Sequence, residues 1–324
     1  MKTPIIEITN IYTGSTFQVD QFKKYTHTRT LKGFEDSFSL TLADTRGSLI
    51  WDVVACEYTV RAVIGGVENR FRIIDIDYSD SVITCVGQSI ETEKFLDEAE
   101  PKKISKTTDN AIIEEMLSGY DLVLDEAKKV TEYNIPPGVS KAEVALDVAI
   151  ENGFLLYASG GKIYKTKIKE SGEAEKEYIQ QEILNFSLRQ STGQARSELI
   201  AYSTTGSHEN IHSKTTVEPF SILQNQKLSI NRVMRYNVNA KDQEELNRKL
   251  EENKEKAQPY ESLEFTVKGR DVVDINTIVN ISYPKAKING KFVVNEVKYD
   301  VKDNGESTTT ISVSGLGRNI TSMR

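Results

Sequence analysis

The chain has 324 residues, a length that fits two or three domains or one elaborated core. Its composition, 38% hydrophobic with only 7 prolines, is that of a globular protein and excludes collagen-like and largely disordered classes. A net charge of −7 repels DNA, RNA and anionic lipid on average, which argues against a general nucleic-acid or membrane-binding role.

The first residues, Met1-Lys-Thr-Pro-Ile-Ile-Glu-Ile8, hold too short an apolar run for a secretory signal, and no later run approaches the roughly 18 apolar residues of a membrane helix. Cytoplasmic synthesis is expected, with any later location reached by passive release. Residues 4–98 alternate as short strands between turns: Ile5–Ile8, Thr16–Val19, Ser37–Leu42, Tyr58–Ile64, Phe71–Tyr78 and Ser81–Val86, with Gly65-Gly66 as a hairpin signal. An antiparallel barrel or sandwich is the expected product.

Helical spacing enters after Pro101. Ile112, Ile113, Met116 and Leu117 predict a helix over Lys106–Leu117 with a cap near Asp109. Ser140-Lys-Ala-Glu143 matches a capping box and predicts a second helix ending near Asn152-Gly153. Strands are expected at Phe154–Ala158 and Lys162–Ile168 around Gly160-Gly161, then at Ile183–Arg189, Glu198–Ser203 and Leu228–Tyr236. One charged helix over Lys241–Ala257 carries Leu246 and Leu250 as a narrow apolar stripe, and Leu263–Val313 is β again. The fold class expected is mainly β with an α+β insertion: a β-barrel or sandwich module over 1–98, a helix-containing middle segment over 99–175, and a second module over 176–324 that holds the 241–257 helix.

An internal repeat links the two ends. Phe71-Arg-Ile-Ile-Asp-Ile-Asp-Tyr78 and Phe292-Val-Val-Asn-Glu-Val-Lys-Tyr299 put Phe71, Ile73, Ile76 and Tyr78 at the offsets of Phe292, Val294, Val297 and Tyr299. In both, strict alternation slips by one residue midway. A β-bulge explains the slip, because the extra residue returns the later side chains to the same face. Three chains with two such modules each would present six similar modules around an axis.

With these residues in place, the chain resembles the baseplate hub proteins of long-tailed phages and phage-derived contractile particles, of the Mu-like and defective-prophage type. The resemblance is carried by Phe38-Ser-Leu-Thr-Leu-Ala43 with Trp51, by Val60-Arg-Ala-Val-Ile-Gly-Gly66, and by the helices near Lys106 and Ala142. It continues in Val267-Lys-Gly-Arg-Asp271, Ile275-Asn-Thr-Ile-Val-Asn-Ile281, Ile288-Asn-Gly-Lys-Phe-Val-Val294 and Thr308-Thr-Thr-Ile-Ser-Val313. It implies a structural subunit and no enzyme: a homotrimeric ring that adapts a sixfold tail tube to a threefold spike. The implied partners are the tube protein, the spike protein and other baseplate proteins, with DNA only as passing cargo and a final location in the tail of a virion or phage-like particle.

Chemical motifs are weighed against that reading. His208-Glu209-Asn-Ile-His212 fits the zinc metalloprotease spacing, in which two histidines on one helix face hold the metal and Glu209 acts as base. Its flanks, Thr204-Thr-Gly-Ser207 and Ser213-Lys-Thr-Thr-Val217, are loop and strand formers, so a loop with two exposed histidines is expected instead. Asp75 and Asp77, with Asp80 nearby, could pair for sugar hydrolysis, but a solvated strand face is expected. Tyr120, Tyr157 and Tyr164 are scattered in sequence and make no sugar platform there. Gly315-Leu-Gly317 lacks a phosphate-loop ending, and the Lys102, Lys103, Lys106 and Lys128-Lys129 clusters lack interleaved aromatics. Cys56 and Cys85 are expected as small buried hydrophobes, and Trp51 as a core residue under a strand. No catalytic residue, cofactor or metal is expected.

Overall fold

The computed structural model describes residues 5–31, 36–49, 52–64, 67–90, 97–159, 162–193, 195–204, 210–221, 226–238, 240 and 242–316. The N-terminal module contains β1 (Ile5–Thr9), β2 (Thr16–Gln18), β3 (Lys24–Thr30), β4 (Asp36–Ala43), β5 (Thr59–Ile64), β6 (Val67–Ser79) and β7 (Val82–Ser89). Its strands are specified by alternation. In β4, Phe38, Leu40 and Leu42 are buried while Ser37, Ser39 and Thr41 face the other way. These three join Ile6, Ile8, Val60, Ala62, Phe71, Ile73, Ile83 and Cys85 in one core. The β6–β7 hairpin turns at Asp80 and Ser81, both with positive φ, as a tight two-residue turn of that twist requires.

The middle segment holds β8 (Lys102–Thr108), α1 (Asp109–Met116), β9 (Asp121–Leu124), β10 (Lys129–Ile135), α2 (Lys141–Glu151), β11 (Leu155–Ser159) and β12 (Lys162–Thr166). Thr108 caps α1 by accepting from the Ala111 N–H, and Ser140 and Glu143 form the reciprocal box at the start of α2. The predicted first helix starts too early: Lys102–Thr108 is a strand paired with β10, so only Asp109 onward is helical. A local helical period cannot reveal a cross-strand partner some twenty residues away. Ile112, Ile113, Val144, Val148, Phe154 and Leu156 form this segment's own core.

The remainder is β13 (Lys176–Ile179), β14 (Ile183–Ser191), β15 (Glu198–Thr204), β16 (Asn210–Thr216), β17 (Phe220–Ser221), β18 (Gln226–Lys227), β19 (Val233–Asn237), α3 (Gln243–Glu252), β20 (Tyr260–Lys268), β21 (Ile278–Tyr283), β22 (Ile288–Lys302) and β23 (Ser307–Gly315). Between β14 and β20 the chain builds a satellite layer: β16, β15 and β19 form a sheet, and Leu246 and Leu250 of α3 pack on it with Leu199 and Ala201. Asp242 caps α3, which is shorter than the expected 241–257 helix because Lys254–Ala257 tightens into a 3₁₀ turn. Phe265, Val267, Ile281, Val293, Val294, Ile311 and Val313 form the C-terminal core, to which Leu155 and Tyr157 of the middle segment also contribute.

The mainly β class with a helical insertion is what the structure has. Among the described residues the two expected barrel or sandwich modules share one 13-stranded sheet, because β22 hydrogen-bonds to β3, and no closed barrel forms. β3 itself was missed in the sequence, since Lys24-Tyr-Thr-His-Thr-Arg-Thr30 carries one large apolar side chain in seven residues.

Candidate assembly interface

The two β modules repeat in detail. Strands β3-β4-β7-β6-β5 and β14-β20-β23-β22-β21 follow the same neighbour order. The predicted bulges lie at equivalent positions: register slips between Ile73 and Asp75 on β6, and between Val294 and Glu296 on β22, leaving Ile74 and Asn295 as the extra residues. A cross-strand hydroxyl pair is repeated too, Thr41 with Thr84 at 3.5 Å and Thr266 with Thr310 at 3.1 Å. Such pairs add a few tenths of a kcal/mol each and help fix register.

Within the chain the modules meet edge to edge. The half of β22 beyond its bulge pairs antiparallel with β3, from Glu296 opposite Thr30 to Lys302 opposite Lys24. Leu31 donates its N–H to the carbonyl of the bulge residue Asn295 at 2.8 Å. Side chains fasten the same seam. Thr26 donates to Asp300 at 2.5 Å, Lys24 lies 3.1 Å from that carboxylate, and Arg29 reaches Asp274 at 3.0 Å and the Val273 carbonyl at 3.1 Å. His27, 8% exposed, sits 2.5 Å from Asp36 and edge-on to Phe71. Tyr25 is fully buried beneath the seam, and desolvation pushes its hydroxyl pKa far above the ordinary value.

The equivalent edges at the two ends of this arrangement are bonded on one side. β14 pairs with β20 only, and β6 beyond Ile73 pairs with β7 only, among the described residues. Both edges present apolar side chains: Leu188 is 47% exposed and Tyr78 45%. An exposed strand edge with apolar residues is a template for pairing with another chain.

Residues singled out in the sequence fall as follows. His208 and Glu209 lie outside the described residues, as do Trp51, Gly65, Gly66 and Gly317. His212 is exposed on β16, opposite Tyr202, so residues 210–216 form a strand where the metalloprotease spacing requires a helix and the sequence suggested a loop. Asp75 and Asp77 are solvated on β6 beyond the bulge, and Asp80 sits in the hairpin turn. Cys85 is buried, and desolvation raises its thiol pKa to about 12; Cys56 is exposed, correcting the expectation of burial, because it lies in the turn before β5. Three lysines of the clusters bond within the chain: Lys102 pairs with Glu115, Lys103 with Glu132 at 2.9 Å, and Lys128 donates to the Asn152 carbonyl at the end of α2 at 2.6 Å. Tyr157 and Tyr164 are brought together by the β11–β12 ladder, rings stacked at 5.3 Å beside a cleft of about 330 Å³ that Asp125, Lys169 and Asn276 also line. Among the described residues no three His, Cys, Asp or Glu side chains cluster as metal ligands, and no helix is long and apolar enough to cross a membrane.

No family model and no curated protein matches the sequence. Solved structures do match the fold. A tail protein from Neisseria meningitidis superposes with a TM-score of 0.76 at 12% identity, over 97% of this chain and 98% of that one. The 43 kDa tail protein of prophage MuSo2 from Shewanella oneidensis gives 0.75 at 17% identity, over 97% and 100%. A prophage tail protein from Listeria monocytogenes gives 0.63 at 10% identity, over 98% and 97%. The fold is therefore the one found in phage tail proteins. In the first two the likeness runs end to end, covering the middle segment and the satellite layer as well as the repeated modules.

Proposed function

We propose that this chain is a structural subunit of a phage-type tail, the baseplate hub, acting as a homotrimer that adapts the sixfold tube to the threefold spike. The observation that carries this reading is the internal repeat, matched down to the bulge and the threonine pair and joined edge to edge within one chain. Two equivalent modules per chain give three chains six equivalent faces, which is what a sixfold tube requires of a threefold partner. The mechanism is geometric: extended strand pairing and buried interface supply the binding energy, and no bond is made or broken. The partners are further copies of the chain, the tube protein, the spike protein and neighbouring baseplate proteins, and DNA passes through the ring as cargo. The net negative charge fits such a passage, because an acidic wall does not hold phosphate. The end-to-end likeness to phage tail proteins supports the location in a tail.

Native mass measurement across a range of protein concentrations, with electron-microscope class averages of the largest species, tests the proposal. A three-chain ring with six similar lobes is expected. A chain that stays monomeric at every concentration, and does not assemble when tube protein is added, would overturn it.

A further inference from the structure

The seam between β22 and β3 has a counterpart that one chain alone leaves open. β22 is bonded on both flanks beyond its bulge, to β23 and to β3. Among the described residues its repeat equivalent β6 is bonded beyond the bulge to β7 alone, and the repeat equivalent of β3 is β14, whose outer edge is the end of the sheet. The module pair therefore carries one joined copy of this edge-to-edge contact and the two unjoined halves of another.

We propose that the outer edge of β14 in one subunit pairs antiparallel with Asp75–Ser79 of β6 in the next, closing the ring with the contact that β3 and β22 make within each chain. The inference rests on the hub reading and deepens it by naming the subunit interface and its register. Matching strands through their shared partners makes Lys24 and Asn185 equivalent, since they sit opposite Thr41 and Thr266 of the repeated threonine pair. The pairs Glu296–Thr30 through Asp300–Thr26 then translate into Asp75 opposite Ser191, Ile76 opposite Gln190, Asp77 opposite Arg189, Tyr78 opposite Leu188 and Ser79 opposite Ser187.

Chemistry agrees with that register. Tyr78 and Leu188 are two of the large exposed apolar side chains of these strands, beside Ile74 and Leu184, and the register sets them directly across from one another, as Tyr299 and His27 already are. Asp77 and Arg189, both exposed, fall opposite as unlike charges on the other face. A shift by one residue would place Leu188 against Asp77 or Ser79 and turn the apolar set to the wrong face. The in-chain seam supplies the burial to expect: His27, the equivalent of Leu188, is 8% exposed where β22 covers it, against 47% for Leu188.

The test is a cysteine pair across the predicted seam. In a background carrying Cys56→Ser, which removes the exposed native thiol, Tyr78→Cys and Leu188→Cys are introduced together and the purified chain is oxidised mildly, with native mass read on the same sample. Covalent trimers are expected, with dimers as intermediates. Tyr78→Cys combined with Arg189→Cys, whose side chains leave opposite faces of the sheet, is expected to give at least tenfold less product. A native trimer that does not cross-link through 78 and 188, or does so no better than through 78 and 189, would overturn the register and leave the trimeric hub standing. A chain that is monomeric at all concentrations and yields no cross-linked species would overturn both.

Discussion

Ile74 and Asn295 occupy the same place in two copies of one hairpin, each the extra residue of a bulge that interrupts a long strand. Ile73 pairs with Gly87 and Asp75 with Val86 around the first; Val294 pairs with Val313 and Glu296 with Ser312 around the second. The bulge keeps Phe71, Ile73, Ile76 and Tyr78 on one face of β6 despite the break in alternation. It also divides the strand into a half that pairs with the preceding hairpin strand and a half whose other edge is left for a further partner.

The bulge matters through its backbone, which sets up a contrast between two variants. Ile74 is 49% exposed, so Ile74→Ala is expected to change stability by less than about 1 kcal/mol. Deleting Ile74 removes the slip and sends Ile76 and Tyr78 to the opposite face, so the chain is expected to be insoluble or to lose most of its stability. Urea unfolding of both variants, with the soluble fraction on expression, checks the pair.

Gly87 is wedged beside the first bulge. A Cβ there would lie 2.0 Å from the Arg72 carbonyl oxygen and 2.4 Å from the Phe38 ring. The oxygen belongs to the backbone and cannot rotate away, so Gly87→Ala is expected to cost about 1–3 kcal/mol in urea unfolding. The repeat-equivalent position holds Val313, opposite Leu263 where the first module has Phe38: bulk has moved from one strand to its neighbour at constant fold.

In the middle segment Lys165 and Asp109 form an ion pair at 2.6 Å with both side chains fully buried, and the Lys165 ammonium also lies 3.8 Å from the Phe154 ring centroid. Removing one partner strands a buried charge. Lys165→Met is expected to destabilise the chain by about 3–5 kcal/mol, while adding Asp109→Asn to it recovers part of the loss. Thermal or urea unfolding of the single and double variants tests this, and equal losses in both would refute the account.

The capping box of α2 gives a pH dependence of definite sign. The backbone N–H and hydroxyl of Ser140 bond the Glu143 carboxylate and hold its pKa below the usual glutamate value. The stabilisation is therefore present above that usual value and lost as pH falls through the depressed one. The pH-dependent part of the stability difference between the native chain and Glu143→Ala should disappear on acidification, whereas Ser140→Ala, which removes the acceptor of the Glu143 N–H, should still cost about 0.5–2 kcal/mol at acid pH. Urea midpoints at neutral and acid pH separate the two.

Much was legible because its physics is local. Alternation in Phe38-Ser-Leu-Thr-Leu fixes which face of β4 is buried, Ser140 and Glu143 fix where α2 begins, and the offset pattern of Phe71 to Tyr78 and Phe292 to Tyr299 fixes both bulges, because each signal depends on residues within one turn or one strand of each other. The polar strand β3, the strand character of Lys102–Thr108, the stacking of Tyr157 on Tyr164 and the exposure of Cys56 were decided by tertiary structure. So was the joining of two expected modules into one sheet. Strand edges are backbone N–H and carbonyl groups that every sequence carries alike, so the side chains announce that a strand exists, while only the folded arrangement decides which edge it meets and which it leaves open.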